Sequence, residues 1–316
     1  MNPTSLVIEA LCAHLETGYR ATFGDLEPRY PHVMCGAVRI ALGHLSNTDA
    51  LYHDVQHTVQ VTLAGQEILR GLHMAKHIDP EDWLHFIVSV LFHDSGYVRG
   101  ACYGDTQNSF VIDAAGNTVT PPRGASDAWL TPYHVDRSKI FVRERGKDLP
   151  FVDVERVAAA IEHTRFPVPD VDDYQATDNE PGLVRAADLI GQLGDPLYLR
   201  KINNLYHEFV ETGTAQQLGY DSSADLADDY PNFFWSSVRP YIGDALHYLQ
   251  LTPEGKQWVA NLYGHVFAVE HDQQRLGPHR GAEAVPAFGV AGGAHGAPVH
   301  EAAIVRAGIG RSRGRR

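Results

Sequence analysis

The segment Tyr52-His53-Asp54-Val55-Gln56-His57-Thr58, followed by Phe92-His93-Asp94-Ser95-Gly96, decides how this chain is read. Three more residues extend the series in order: His134, His163 and Asp188. Imidazoles and carboxylates in this order offer ligands for one or two divalent metals, with no thiolate. A His-Asp dipeptide alone is poor evidence. With 18 His and 24 Asp in 316 residues, chance supplies about one or two such dipeptides. The chain has three, at His53-Asp54, His93-Asp94 and His271-Asp272. The order of the residues and their helical setting therefore carry the argument.

Taken singly, His57, His134 and His163 each read as an ordinary hydrogen-bonded histidine. Their setting changes that. His53 and His57 are four apart in a stretch expected to be helical, which puts them on one face about a turn apart. His93 and Asp94 are adjacent, so on a continuous helix they would point about 100° apart. Near a helix end, with Gly96 available for a left-handed exit, both can turn toward one cluster. Asp94 is then the candidate bridge between two metals. Asp188, in Arg185-Ala186-Ala187-Asp188-Leu189-Ile190, sits on an otherwise apolar face, where a carboxylate is costly to bury without a cation.

The rest of the chain reads as mainly helical. Thr4-Ser5 caps a first helix carrying Leu6, Ile8, Leu11 and Leu15, and a second runs from Pro31 to about Leu45. A long helix is expected from about 49 to 76. Asp79-Pro80-Glu81-Asp82 opens the next, which ends near His93. Phe110-Val111-Ile112 and Thr118-Val119-Thr120, around Ala114-Ala115-Gly116-Asn117, predict a small β-hairpin on a long excursion, either a lid or decoration. Further helices are expected at about 126–145, 152–164, 182–194, 196–212, 232–250 and 253–271. Thr252-Pro253-Glu254 starts the last of these with a cap, a proline and an acid.

Composition sets the limits. A 44% hydrophobic, 21% charged chain can bury a core. No apolar run approaches the roughly 20 residues that span a bilayer, and the N-terminus lacks a basic segment followed by an apolar one. Cys12, Cys35 and Cys102 follow no metal spacing and read as small core side chains, which suits a cytoplasmic protein. From Gln274 onward there are seven Arg and two Glu, leaving 19 basic against 37 acidic residues in the remainder. A body that acidic repels a phosphate backbone, so no nucleic-acid partner is expected, and no membrane. A small phosphorylated metabolite remains compatible because bound metal reverses the field locally. Two segments are therefore expected: a folded domain over 1–273 and a disordered Gly, Ala, Pro and Arg-rich tail over 274–316.

The residues His57, His93-Asp94 and Asp188 resemble the H…HD…D signature of the HD superfamily of metal-dependent phosphohydrolases. The segment from Tyr52 to His57 is also similar to the first metal-binding helix of cyclic nucleotide phosphodiesterases, with Asp54 where those have asparagine. The motifs cover about residues 50 to 195. The resemblance implies an all-α helical bundle of the HD and phosphodiesterase type with a small hairpin insertion. It implies His57, His93, Asp94, His134, His163 and Asp188 as ligands for one or two ions of Mn, Fe, Zn, Ni or Mg. His53 becomes the proton donor to the leaving oxygen, and Asp94 acts with it at the reacting centre. Many relatives have a basic residue where this chain has Tyr97, so Tyr97, Arg99, Lys139 and Arg165 are the candidate substrate-binding groups, with Arg123 a further possibility.

The expected reaction is hydrolysis of a phosphoester or phosphodiester of a small nucleotide-like metabolite by hydroxide, the metal lowering the pKa of water from about 15.7 toward 7. The same six ligands also fit mixed-valent di-iron oxygenases of this fold. A non-catalytic sensor of metal or ligand is the third reading.

Overall fold

Aspartates cap several of the helices in the computed structural model, which describes residues 3–271. Asp79 accepts the amides of Glu81 and Asp82 while Asp82 reaches back, closing a capping box at α4. The helices before it are α1 (Pro3–Phe23), α2 (Tyr30–Leu45) and α3 (Val55–Lys76), and α4 itself spans Pro80–Phe92. There follow α5 (His134–Arg145), α6 (Val154–Glu162), α7 (Glu180–Leu193) and α8 (Tyr198–Thr212). Three short helices come next, α9 (Thr214–Leu218), α10 (Ser223–Asp228) and α11 (Tyr230–Phe233), then α12 (Gly243–Leu249) and α13 (Pro253–His271). The protein is thus mostly helical. Its two described strands, β1 (Phe110–Val111) and β2 (Thr118–Val119), pair antiparallel with Phe110 opposite Val119, as the expected hairpin requires.

α3 and α4 form the centre. Every residue of α4 from Trp83 to Phe92 is buried, because α2, α3, α6 and α7 surround it; a helix apolar all round belongs in such a place. α3 packs most extensively on α7. Gly191 permits this approach, since a Cβ there would stand 2.5 Å from the Cα of Val61. The contact brings the middle of α7 over the start of α3, which is where the functional residues meet.

Several sequence expectations need correction. The third helix begins at Val55, not near residue 49. Asp54 is extended, with φ −127°, and its carboxylate accepts the amides of Gln56 and His57, so it ends the preceding loop and caps the helix. His53 therefore lies before the helix and does not share a helical face with His57. Asp127–Tyr133 is a 3-10 segment containing Pro132, and the α-helix starts only at His134. The stretch 232–250 is not one helix: a π-helical turn at Phe234–Val238 and a 3-10 turn at Arg239–Tyr241 separate α11 from α12. Pro240 offers no amide to continue a helix there. Gly96 does not take a left-handed exit. It stands in a 3-10 turn, Ser95–Tyr97, where a Cβ would meet the His134 carbonyl at 2.0 Å.

The cysteines also differ from the compositional reading. Cys12 of α1 and Cys35 of α2 form a disulfide, with Cα atoms 5.0 Å apart, and only Cys102 is a buried free thiol. No described helix is long and apolar enough to cross a membrane. The tail expected over 274–316 lies outside the described residues.

The insertion is anchored at its base. Arg137 of α5, fully buried, donates to the carbonyls of Gly96, Val98 and Val111 and pairs with Asp105 at 2.9 Å. One guanidinium thus ties the loop after His93-Asp94 to the first hairpin strand. The tip, residues 114–117, is exposed.

Candidate metal centre

His57 enters from the first turn of α3, oriented by the Asp54 cap. His93 caps the C-terminal end of α4, and Asp94 follows with φ −103° and ψ 7°, outside helical geometry. That break lets two adjacent residues face one point. The Asp94 Oδ2 lies 3.3 Å from His57 Nε2 and 3.2 Å from His93 Nε2. Asp188, from α7, closes another side with its Oδ1 3.3 Å from His57 Nε2 and 3.4 Å from His93 Nε2. The two Nε2 atoms are themselves 3.4 Å apart. His57, His93 and Asp94 form a group able to hold a metal ion.

Two details show that these residues fit an ion. The Asp94 Oδ2 is buried and makes no hydrogen bond despite its two imidazole neighbours. The Nδ1 of His93 donates to the Val90 carbonyl at 2.9 Å, which leaves its Nε2 lone pair facing Asp94 and His57. His134 repeats the device: its Nδ1 donates to the Thr131 carbonyl at 2.6 Å, and its Nε2 stands 3.9 Å from the other Asp94 oxygen. It is a further imidazole beside the cluster.

The electrostatics describe the same convergence. Burial alone would lower the pKa of His57, but the Asp188 and Asp94 carboxylates facing its Nε2 outweigh it and lift the value to about 9. His93 is raised well above the ordinary histidine range, again against burial, by Asp94 and Asp188. Burial acts to raise Asp94 and Asp188, yet His93 and His57 hold both below the usual carboxylate range. A divalent ion bound by these groups takes the place of protons on the imidazole nitrogens.

His53 stands beside the cluster in a stack of three rings. Its imidazole lies 4.4 Å from the Tyr97 ring, which lies 4.5 Å from that of His134. The His53 Nδ1 is 2.6 Å from Glu208 Oε2, while the other Glu208 oxygen accepts the backbone amides of Tyr52 and His53. Burial works against protonation of His53, but the Glu208 charge and hydrogen bond prevail and its pKa is raised. His53, His134 and Asp188 keep 16%, 15% and 19% side-chain exposure, whereas His57, His93 and Asp94 keep 4% or less. The first three therefore line the open side.

Glu208 was missed in the sequence. It follows Ile202 and Leu205 on the buried face of α8, and an acid on that stripe was its only signal.

The remaining candidates are placed elsewhere. His163 stacks on Tyr174 at 4.7 Å and is within ion-pair distance of neither Asp94 nor Asp188. Tyr97 is buried between two imidazoles. Arg99 pairs with Asp49 and with Asp127 at 2.7 Å. Lys139 and Arg165 are both held by Asp136 and Glu162. Three of the four proposed substrate-binding groups are thus basic residues already neutralised by carboxylates. Arg123 borders a separate cavity of about 470 Å³ beside the hairpin, with Phe110, Gln107 and Arg99.

No curated protein and no solved structure matches this chain. A family profile described as Npun_R2479-like matches residues 1–272, and that span includes every residue of the cluster. The chain belongs to the Npun_R2479-like family.

Proposed function

We propose that the protein is a metal-dependent phosphohydrolase with the helical arrangement of the HD superfamily, acting on a phosphoester or phosphodiester of a small metabolite. The observation that carries this reading is the buried meeting of His57, His93, Asp94 and Asp188 directly beside a carboxylate-held imidazole, His53. A metal-binding scaffold alone has no use for the His53–Glu208 pair.

The four convergent groups would hold one ion, and His134, 3.9 Å from the other Asp94 oxygen, would add a ligand for a second. When bound, a divalent ion supplies charge neutralisation for phosphoryl oxygens and acidifies water. The chain supplies the rest. Glu208 occupies the Nδ1 of His53, so Nε2 is the nitrogen left to carry a proton to a leaving oxygen, a role worth a factor of about 10² to 10⁴. Tyr97 fixes the ring planes of His53 and His134 by stacking between them. The oxygenase alternative uses the same ligands, so the stacking of His163 on Tyr174 does not separate the two readings; the Glu208-held His53 is what favours hydrolysis.

The test is metal content together with hydrolysis of bis(p-nitrophenyl) phosphate by the purified full chain. Asp94→Ala should lose both bound metal and turnover. Full metal content in that variant would sink the assignment, as would the absence of any hydrolysis by metal-loaded wild type.

A further inference from the structure

The proposed centre leaves unused two groups that each carry a buried nitrogen without a partner. Arg185 lies on α7 three residues before Asp188, and 1% of it is exposed. Among the described residues it has no carboxylate within ion-pair distance. Its Nη1 and Nη2 donate to the carbonyls of Tyr174 and Ala176 at 2.7 and 3.2 Å, and its plane lies 4.5 Å over the ring of Tyr241. Its Nε has no acceptor. The second group is His163. Its ring stacks on Tyr174, and its buried Nδ1 also lacks a partner. Tyr174 connects the two, offering its carbonyl to Arg185 and its ring face to His163.

A desolvated guanidinium offset only by carbonyl dipoles and an aromatic face keeps its net charge. Neighbouring cations are treated differently: Arg165 and Lys139 each face two carboxylates. We infer that Arg185 and His163 form a subsite for a compact oxyanion, a phosphate or carboxylate group of the substrate remote from the one that reacts at the metal. The inference rests on the proposed reading of the centre, because Asp188 places Arg185 about one helical turn, roughly 5 Å, along α7 from it. The Tyr174 and Ala176 carbonyls take up the two terminal nitrogens of Arg185, which leaves its Nε as the donor for the anion. The substrate class follows: a small metabolite carrying a second negative group, not a simple alkyl phosphate.

The experiment uses inorganic phosphate on metal-free full-length protein, where no ion can hold it. Calorimetry should show one phosphate bound, with a matching rise in Tm. Arg185→Met keeps the apolar stem and removes the charge. It should weaken phosphate at least tenfold, and its Tm without phosphate should equal or exceed that of the wild type. His163→Gln should weaken phosphate severalfold with unchanged Tm. Metal stoichiometry should be unchanged in both variants. No phosphate binding by wild type, or equal binding by Arg185→Met, overturns the subsite. If Arg185→Met does not fold, the subsite stands only if His163→Gln alone loses phosphate. Loss of metal in Asp94→Ala tests the centre separately, since phosphate binding at Arg185 should survive that substitution.

Discussion

His53 and His57 are four residues apart, yet their environments give them different work. The Asp54 cap turns His57 into the cluster, where two carboxylates converge on its Nε2. Glu208 claims His53 from the other side of the loop. His53→Ala is therefore expected to keep its metal and to lose about 10²-fold or more in turnover on a substrate with an alkoxide leaving group. An activated aryl diester, whose leaving group needs no proton, should lose much less. Glu208→Gln should follow the same pattern with a smaller loss. Parallel kinetics on both substrates, with metal content measured alongside, decide it, and equal losses would remove His53 as proton donor. The histidine and aspartate members of the site were visible in the sequence because motif order marks them. Glu208 was not, since it sits 155 residues from His53 in a helix without any motif and acquires meaning only when α8 docks.

Between helices, charge is concentrated where α5 meets α6. Glu162 at the end of α6 receives Lys139, Arg165 and the Tyr174 hydroxyl. Burial would raise its pKa, but Arg165, Lys139 and Tyr174 outweigh it and bring the value down to about 2, from an ordinary 4.5. A folded-state pKa below the unfolded one stabilises the protein above the unfolded value and stops doing so as pH falls through the folded one. Glu162→Gln should thus lower stability at pH 7 by on the order of 1–2 kcal/mol, after allowance for solvent screening. The gap between wild type and variant should close between about pH 4.5 and pH 2 in urea titrations; a gap independent of pH would contradict it. The same elements show what helix-level reading achieved. The helix starts read at Asp79-Pro80 and Thr252-Pro253 coincide with observed helices. The start of α3 was misplaced, because Asp49 and Asp54 are both good caps, and the choice fell to Asp54 once Asp49 was engaged by the Asp127 amide and Arg99.

Across the molecule, the disulfide between Cys12 and Cys35 joins α1 to α2 over 23 residues. Closing a loop of that size removes unfolded-state entropy worth about 3 kcal/mol. Reduction, or Cys12→Ser, should lower the unfolding free energy by roughly that amount while leaving the metal content unaltered, because the cluster is built from α3, α4 and α7. Unchanged stability under a strong reductant would remove the bond from the description of the native protein. The insertion has a comparable whole-molecule role. Arg137 fastens its base to the Gly96 and Val98 carbonyls, while the hairpin tip is exposed.

The sequence by itself determined the helical class, the hairpin, and the order of residues that became the cluster. These depend on local capping, on periodicity and on residue chemistry, all of which are written in short stretches. Only the tertiary structure decided which of them meet. Gly191 lets α7 close on Val61 and so sets Asp188 against His57 and His93. The packing of α8 delivers Glu208 to His53, and the loop that ends in α7 draws His163 to Tyr174 instead of to Asp94. The pairing of Cys12 with Cys35 and the neutralisation of Arg99, Lys139 and Arg165 were decided in the same way. Long-range partners are set by how helices dock, and docking depends on side-chain volume and close backbone approach over the whole interface, which no local stretch contains.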